Sequence, residues 1–148
     1  MPTLPPLLSL FIATQHVSAL NLQELEREGI DPYGILLLTT IGVLEPVTPS
    51  RLVEESGIPG TTVRDLVGDL VARGLVRRDP NPDDARSHYL SLSDRGRAHW
   101  RKAGRAFERA ERELERHLGT PLSELSEPLA RLARAAREAR TELALSDR

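Results

Sequence analysis

Between Gly60 and Gly74 the apolar residues Val63, Leu66, Val67, Leu70 and Val71 fall at i, i+3, i+4, i+7 and i+8. This is the stripe of an amphipathic helix, and Thr61, Thr62, Arg64, Asp65, Gly68 and Asp69 lie outside it. The flanks decide what the stripe packs into. On one side Gly57-Ile58-Pro59-Gly60 separates it from a second short helix, Ser50 to Ser56, which Thr48-Pro49 opens and Gly57 closes. On the other, Leu75-Val76-Arg77-Arg78 and His88 to Leu92 are short strands around a turn-rich segment, a hairpin with a long tip. Helix, tight turn, helix and hairpin, in that order, is a winged helix-turn-helix.

Further helices surround this unit. The apolar stretch Leu7 to Leu25 ends at Gly29, a residue suited to a helix C-terminus. Asp31-Pro32 predicts a start with Asp31 as cap and Pro32 in the first turn, and Ile35 to Leu44 is apolar nearly all round, so this helix is expected to be buried. Glu45-Pro46 stops it. Ser93 is expected to cap a long helix running to about Leu118, in which Trp100, Ala103, Phe107, Ala110 and Leu114 step by three and four. After Gly119-Thr120-Pro121 a last helix carries Leu125, Leu129, Leu132, Ala136, Ala139 and Leu143 on one face; Ser126 as its cap puts Pro128 in its first turn. The expected fold is mainly α with a small two- to three-stranded β-wing, and 1–148 form one domain.

The chain has no cysteine, which removes disulfides, thiolate catalysis and cysteine-ligated zinc. The N-terminal apolar run is interrupted by Ser9, Thr14, Gln15 and His16, unlike a secretory signal, and no segment is long enough to span a membrane. The expected location is the cytoplasm. A net charge of −2 gives no overall basic signature, so an argument for nucleic acid must rest on local geometry.

That geometry is specific. In a winged helix-turn-helix the second helix enters the major groove and offers the face away from its stripe, so Thr61, Thr62, Arg64, Asp65 and Gly68 are expected to meet base edges or phosphates. The wing reaches towards a minor groove, whose negative potential attracts an arginine. In the tip, Pro80 and Pro82 stiffen the chain, Asp83 and Asp84 are placed to bond nearby amides, and Arg86 is left as the exposed cation. Asp84 can also pair with Arg86 two residues on and orient its guanidinium. Arg77 and Arg78 are phosphate candidates, of which one is expected to touch DNA. Asp69 is expected to pair with Arg73 at i+4. Gly68 either permits close backbone approach or is simply tolerated. Asp65 is repelled by phosphates unless it accepts a hydrogen bond from a cytosine amino group.

Other chemistries have no support. His16, His88, His99 and His117 are scattered without a metal-ligand spacing, there is no glycine-rich phosphate loop or Gly-x-Ser-x-Gly elbow, and no carboxylate pair stands apart from the charged helix faces. No metal, no cofactor and no enzymatic activity are expected. Trp100 and Tyr33 read as core residues, with the lining of a ligand pocket, together with His16, as the other reading.

The stretch Leu52 to Trp100, with Asp84-Ala85-Arg86 as an Asp-x-Arg wing motif and Leu92-Ser93-Asp94-Arg95-Gly96 as a Leu-Ser-x-x-Gly element, resembles the core of the MarR family (multiple-antibiotic-resistance regulators). The resemblance implies a homodimer joined through the first helix and the last two, that is 1–29 and 94–148, around a DNA-binding lobe at 31–93. It also implies a pseudo-palindromic operator on double-stranded DNA and a small-molecule effector. By the same resemblance Arg86 is the wing arginine, Asp84 its partner, and Thr61, Thr62 and Arg64 recognition-helix positions. The expected function is a ligand-responsive transcriptional repressor. The alternative, motivated by the acidic second helix and the near-neutral central unit, is a winged-helix scaffold for another protein with little DNA affinity.

Overall fold

The computed structural model describes residues 4–84 and 86–146. Ala85, the middle residue of the Asp-x-Arg motif, lies outside them. The chain divides into two compact units, Met1–Ala110 and Glu111–Arg148.

The first unit contains α1 (Pro6–Arg27), α2 (Ile35–Leu44), α3 (Pro49–Ser56), α4 (Gly60–Ala72), β1 (Val76–Pro80), β2 (His88–Leu92) and the start of α5 (Asp94–Leu118). Two of its helices end by the same device. After α1, Gly29 takes φ +63°, its N–H donates to the Glu26 carbonyl at 2.9 Å, and the Ile30 N–H returns to Leu25 at 2.9 Å. After α4, Gly74 (φ +70°) donates to Val71 and Leu75 to Leu70, both at 2.9 Å. In each case the two residues joined by the longer bond are buried apolar side chains, so the cap both satisfies carbonyls and turns the chain into the core.

The approach to α2 departs from the sequence reading. Asp31 Oδ1 accepts the Tyr33 N–H at 2.9 Å, Ile35 N–H donates to the Pro32 carbonyl, and Gly34 has φ +78°. Residues 31–34 thus form a turn of their own, and the helix starts at Ile35 instead of running back to Pro32. Nor is α2 buried all round. Leu37, Leu38 and Ile41 are fully enclosed, whereas Leu36 is 62% and Val43 71% exposed, on the opposite side.

The α2 core residues pack with Leu52 of α3, Val63, Val67 and Leu70 of α4, and Leu90 and Leu92 of β2. The hairpin is antiparallel, with Val76 opposite Leu92, Arg78 opposite Leu90 and Pro80 opposite His88. It begins one residue later than expected, because Leu75 is taken up by the α4 cap, and continues through Asp79 and Pro80. Val47 exchanges backbone hydrogen bonds with Leu90 at 3.1 and 2.8 Å, adding a single-residue third strand.

The Leu-Ser-x-x-Gly element is a joint. Leu92 is buried, the Ser93 hydroxyl accepts the Gly96 N–H at 2.9 Å as the cap of α5, and the same hydroxyl donates to the Gly74 carbonyl at 2.6 Å. A methyl group on Gly96 would collide with the Leu75 carbonyl, whose carbon lies 2.9 Å from that position. Glu45 secures the other side: its carboxylate accepts the Leu92 N–H at 2.7 Å and a hydrogen bond from Arg97.

In the second unit, Gly119 (φ +77°) ends α5, Glu115 accepts the Leu122 N–H at 2.7 Å, and a 3-10 turn, Leu122–Leu125, leads into α6, Ser126–Ser146. Pro128 occupies its first turn. Ser126 has helical dihedrals and is the first helical residue, the preceding turn having taken the place of a cap. No residue described in α6 is buried.

Candidate nucleic-acid interface

The α3–α4 pair is held from both ends. Thr48 Oγ1 accepts the Arg51 N–H at 3.3 Å, Gly57 closes α3 with φ +68°, and Ile58-Pro59 feeds α4. Because Val63, Val67 and Leu70 turn inward, Thr61, Thr62, Arg64, Asp65 and Gly68 are all exposed. Asp69 does not belong with them. Its carboxylate receives Arg73 at 3.2 Å, and Arg73 also reaches Asp31 at 3.1 Å, tying the C-terminal turn of α4 to the loop before α2. No atom approaches within 4 Å of a methyl group placed on Gly68, so the fold of this chain does not require glycine there.

The two adjacent strand arginines part company. Arg77 pairs with Asp79 at 3.1 Å along its own strand, and its charge is largely answered there. Arg78 is exposed and turns towards α4, where with Arg64 and His88 it lines a cleft of about 290 Å³ floored by Val53, Val63 and Val67 and closed by Pro49, Ser50 and Gly60. The recognition helix and the base of the wing therefore share one face. His88 Nε2 is buried there with no hydrogen-bond partner among the described residues.

The tip is built by side chains bonding to main chain. Asn81 Oδ1 accepts the Asp83 N–H at 3.0 Å, and Asp84 Oδ1 accepts the Arg86 N–H at 2.9 Å. Of the two roles open to Asp84, the backbone one is realised: it fixes the main chain of Arg86 and leaves the guanidinium alone. Arg86 is exposed, and no carboxylate among the described residues is within ion-pair distance of it. Asp83 supplies its N–H to the turn, with Asn81 as the acceptor that sequence reasoning passed over.

Trp100 is half-buried at the edge of the core, with its ring pressed on Gly42, where a methyl group would come within 2.9 Å. Tyr33 is not a core residue: it lies on the turn that precedes α2 and is 58% exposed. His16 is exposed on α1. None of these three lines the cleft described above. The residues overlooked as cleft lining are His88, Pro49 and Val53. For His88 the signal was present in the alternation of β2, since positions 88, 90 and 92 share a face and Leu90 and Leu92 are plainly apolar.

His99, Glu24 and Arg109 are displaced from their ordinary protonation behaviour. Burial pushes the His99 imidazole down, and Arg73, Lys102 and Arg95 add to the effect, so this histidine adds no cation to the lobe at neutral pH. The hydrogen bond from Arg109 holds the Glu24 carboxyl below the usual carboxylate range; burial opposes it and Arg27 reinforces it. Glu24 and Glu28 of the α1 end thereby bind one arginine of α5, at 2.9 and 2.8 Å.

No curated protein sequence matches the chain. The model of the MarR family matches residues 21–87. Among solved structures, wild-type MarR from E. coli in its apo form is 20% identical, with 93% of this chain and 98% of that one aligned at a TM-score of 0.71. The transcriptional repressor CouR bound to a 23-mer DNA duplex is 26% identical (86% and 89% covered, TM-score 0.72), and NadR in complex with 4-hydroxyphenylacetate is 19% identical (90% and 98%, TM-score 0.75). The family match spans the region from the end of α1 through α4 to the wing tip, and the likeness of fold extends over most of the chain; over that region the chain is similar to the MarR family, and its fold is the winged helix of these neighbours.

Proposed function

We propose that this chain is a transcriptional regulator that binds a pseudo-palindromic operator in double-stranded DNA as a homodimer and represses by occupying it. The observation that carries the reading is the shared face of α4 and the wing. Arg64 and Arg78 converge on one cleft, the exposed arc of α4 stands beside it, and the hairpin ends in an arginine whose guanidinium has no carboxylate to hold it among the described residues. Arg77, paired with Asp79, is the lesser phosphate contact of the two strand arginines. The DNA-bound CouR has the same fold.

The dimer reading rests on exposed apolar surface. Leu7 is 77% and Phe11 60% exposed on α1, and α6 carries Leu129, Leu132, Leu143 and Leu145 with no buried residue. Faces of this kind demand a partner, and a second copy of the same helices supplies one of matching chemistry. In this reading 1–29 and 94–148 join the protomers and 31–93 bind DNA. An effector is accommodated by the cleft, where an apolar floor, two arginines and the unpaired His88 nitrogen suit a small anion with an apolar face; once seated it covers Arg64 and Arg78 and competes with DNA.

The test is a fluorescence-anisotropy titration of the chain with its own promoter region and with random duplex across a salt series. A regulator gives a steep fall of log affinity with log salt, about 0.9 per phosphate contact, and a clear preference for the promoter. A flat series with no preference would favour the protein-binding scaffold instead.

A further inference from the structure

We infer that Asp65 makes this regulator cytosine-selective, each α4 reading the amino group of one cytosine in the major groove of its half-site. The inference rests on the DNA-binding reading above and specifies what that helix recognises.

At about 100° per residue, Asp65 points roughly 165° away from the mean direction of the buried Val63, Val67 and Leu70. In the N-terminal half of α4, Thr61, one turn earlier, is the next most outward, while Arg64 and Thr62 lie at the flanks, roughly 95–105° from the buried direction. The centre of the recognition face is therefore an acid, and Arg64 is set aside towards Arg78 and the wing. Asp65 is exposed and makes no hydrogen bond or ion pair among the described residues. The cation of this helix end, Arg73, is held by Asp69 and Asp31 and does not serve it. Gly68, on the next turn, has open space around it and leaves the helix surface low beside the carboxylate. Among the described residues Asp65 thus has neither a folding role nor an intramolecular partner, and none of them blocks a base edge from reaching it.

The chemistry of the groove then selects. A carboxylate only accepts hydrogen bonds. Phosphate oxygens, guanine O6 and N7 and thymine O4 are acceptors and repel it. The donors are cytosine N4 and adenine N6, but adenine sets its N7 acceptor beside the N6 donor, which suits an amide and opposes the second oxygen of a carboxylate. Cytosine alone offers a donor without an adjacent acceptor on the same base. The repulsion works as discrimination: at every other base the central residue of the face is left desolvated or opposed.

The experiment selects binding duplexes from a random pool with the full chain, then measures all single-base variants of the selected site at one fixed salt concentration for the wild type, Asp65→Ala and Asp65→Asn. Melting of all three checks that this exposed position leaves the fold unchanged. The expected wild-type profile has one position per half-site at which cytosine exceeds every other base by roughly 5- to 100-fold. Asp65→Ala flattens that position alone and binds random duplex as well as or better than the wild type. Asp65→Asn moves the preference at that position to adenine, since an amide matches N6 and N7 together. A wild-type profile without such a cytosine, or one that survives unchanged in Asp65→Ala, overturns the inference and leaves the regulator reading standing. A pool from which the wild type selects nothing, at any salt, overturns both.

Discussion

Gly96→Ala should destabilise the whole protein, although it adds one methyl group at a helix position where alanine is ordinarily the better residue. The added carbon meets the Leu75 carbonyl, a backbone group at the junction of α4 and β1 that no rotamer change can move aside. Relieving the contact requires the first turn of α5 to separate from that junction. The separation puts at risk the Ser93 N–H bond to Leu75 at 3.0 Å and the Ser93 hydroxyl bond to Gly74 at 2.6 Å, each worth about 1 kcal/mol. Overpacking strain adds about 1–3 kcal/mol. Against this stands about 1 kcal/mol gained from the alanine propensity. The net loss is about 2–4 kcal/mol, or a fall in melting temperature of roughly 10 °C. Urea denaturation of Gly96→Ala should be compared with Gly104→Ala and Gly68→Ala, where a methyl group finds no atom within 4 Å and the propensity gain alone should appear. Protein concentration must be held constant, because the apparent stability of the proposed dimer depends on it. If Gly96→Ala were no less stable than the other two, the joint at Leu75 would not be the constraint described here.

Arg86→Ala should weaken operator binding on the order of tenfold and lower the salt slope by about 1, with melting unchanged, because the side chain contributes no packing; anisotropy across a salt series reads both quantities. Deleting residues 121–148 should yield aggregates instead of a stable monomer in sedimentation, since in the proposed dimer α6 helps to cover the exposed apolar side chains of α1, such as Leu7 and Phe11. Glu24→Gln should lower the melting temperature at neutral pH. The Glu24 carboxyl titrates lower in the folded chain than in the unfolded one, so its contribution is complete above the usual carboxylate range and is lost as pH falls through the lowered value; the gap between variant and wild type should therefore close on acidification.

Periodicity made the helices and the hairpin legible from the sequence because each element obeys a local rule: stripes at three and four, glycine at a left-handed end, proline in a first turn. The approach to α2 was misread because Asp31 had two acceptable uses, a helix cap or a turn onto Tyr33 N–H, and only Gly34, which bends the chain between them, decides. Its exposed side was illegible for a different reason: Leu36 and Val43 look as apolar as Leu37 and Ile41, and composition does not say which face meets the core. Of the candidate DNA residues, placement on α4 and the wing followed from order alone, whereas the division between Arg77 and Arg78 depends on Asp79, a pairing two residues apart that the strand geometry permits. The cleft needed three segments at once, and no single window of sequence contains Pro49, Arg64 and His88.

The same joint that makes Gly96 necessary also limits how the binding face can move. Gly74 ends α4, Leu75 begins the approach to β1, and both give their carbonyls to Ser93, which caps α5. On the other side Glu45 takes the Leu92 N–H and Arg97, so the end of α2, the end of the wing and the first turn of α5 are bound to one carboxylate. Arg73 adds the loop before α2 to the last turn of α4. The recognition helix and the base of the wing consequently share their anchors, and a displacement of the α5 start acts on both together. By contrast, the hydrogen bonds of the wing tip among the described residues lie within the tip itself. In the proposed complex, placement of Asp65 in a groove is therefore a property of the body of the lobe, set by packing, while placement of Arg86 depends on a short self-bonded turn. Disturbing the joint should degrade base selection and minor-groove contact in concert, and disturbing Asn81 or Asp84 should reduce the contribution of Arg86 while the preference read by α4 persists.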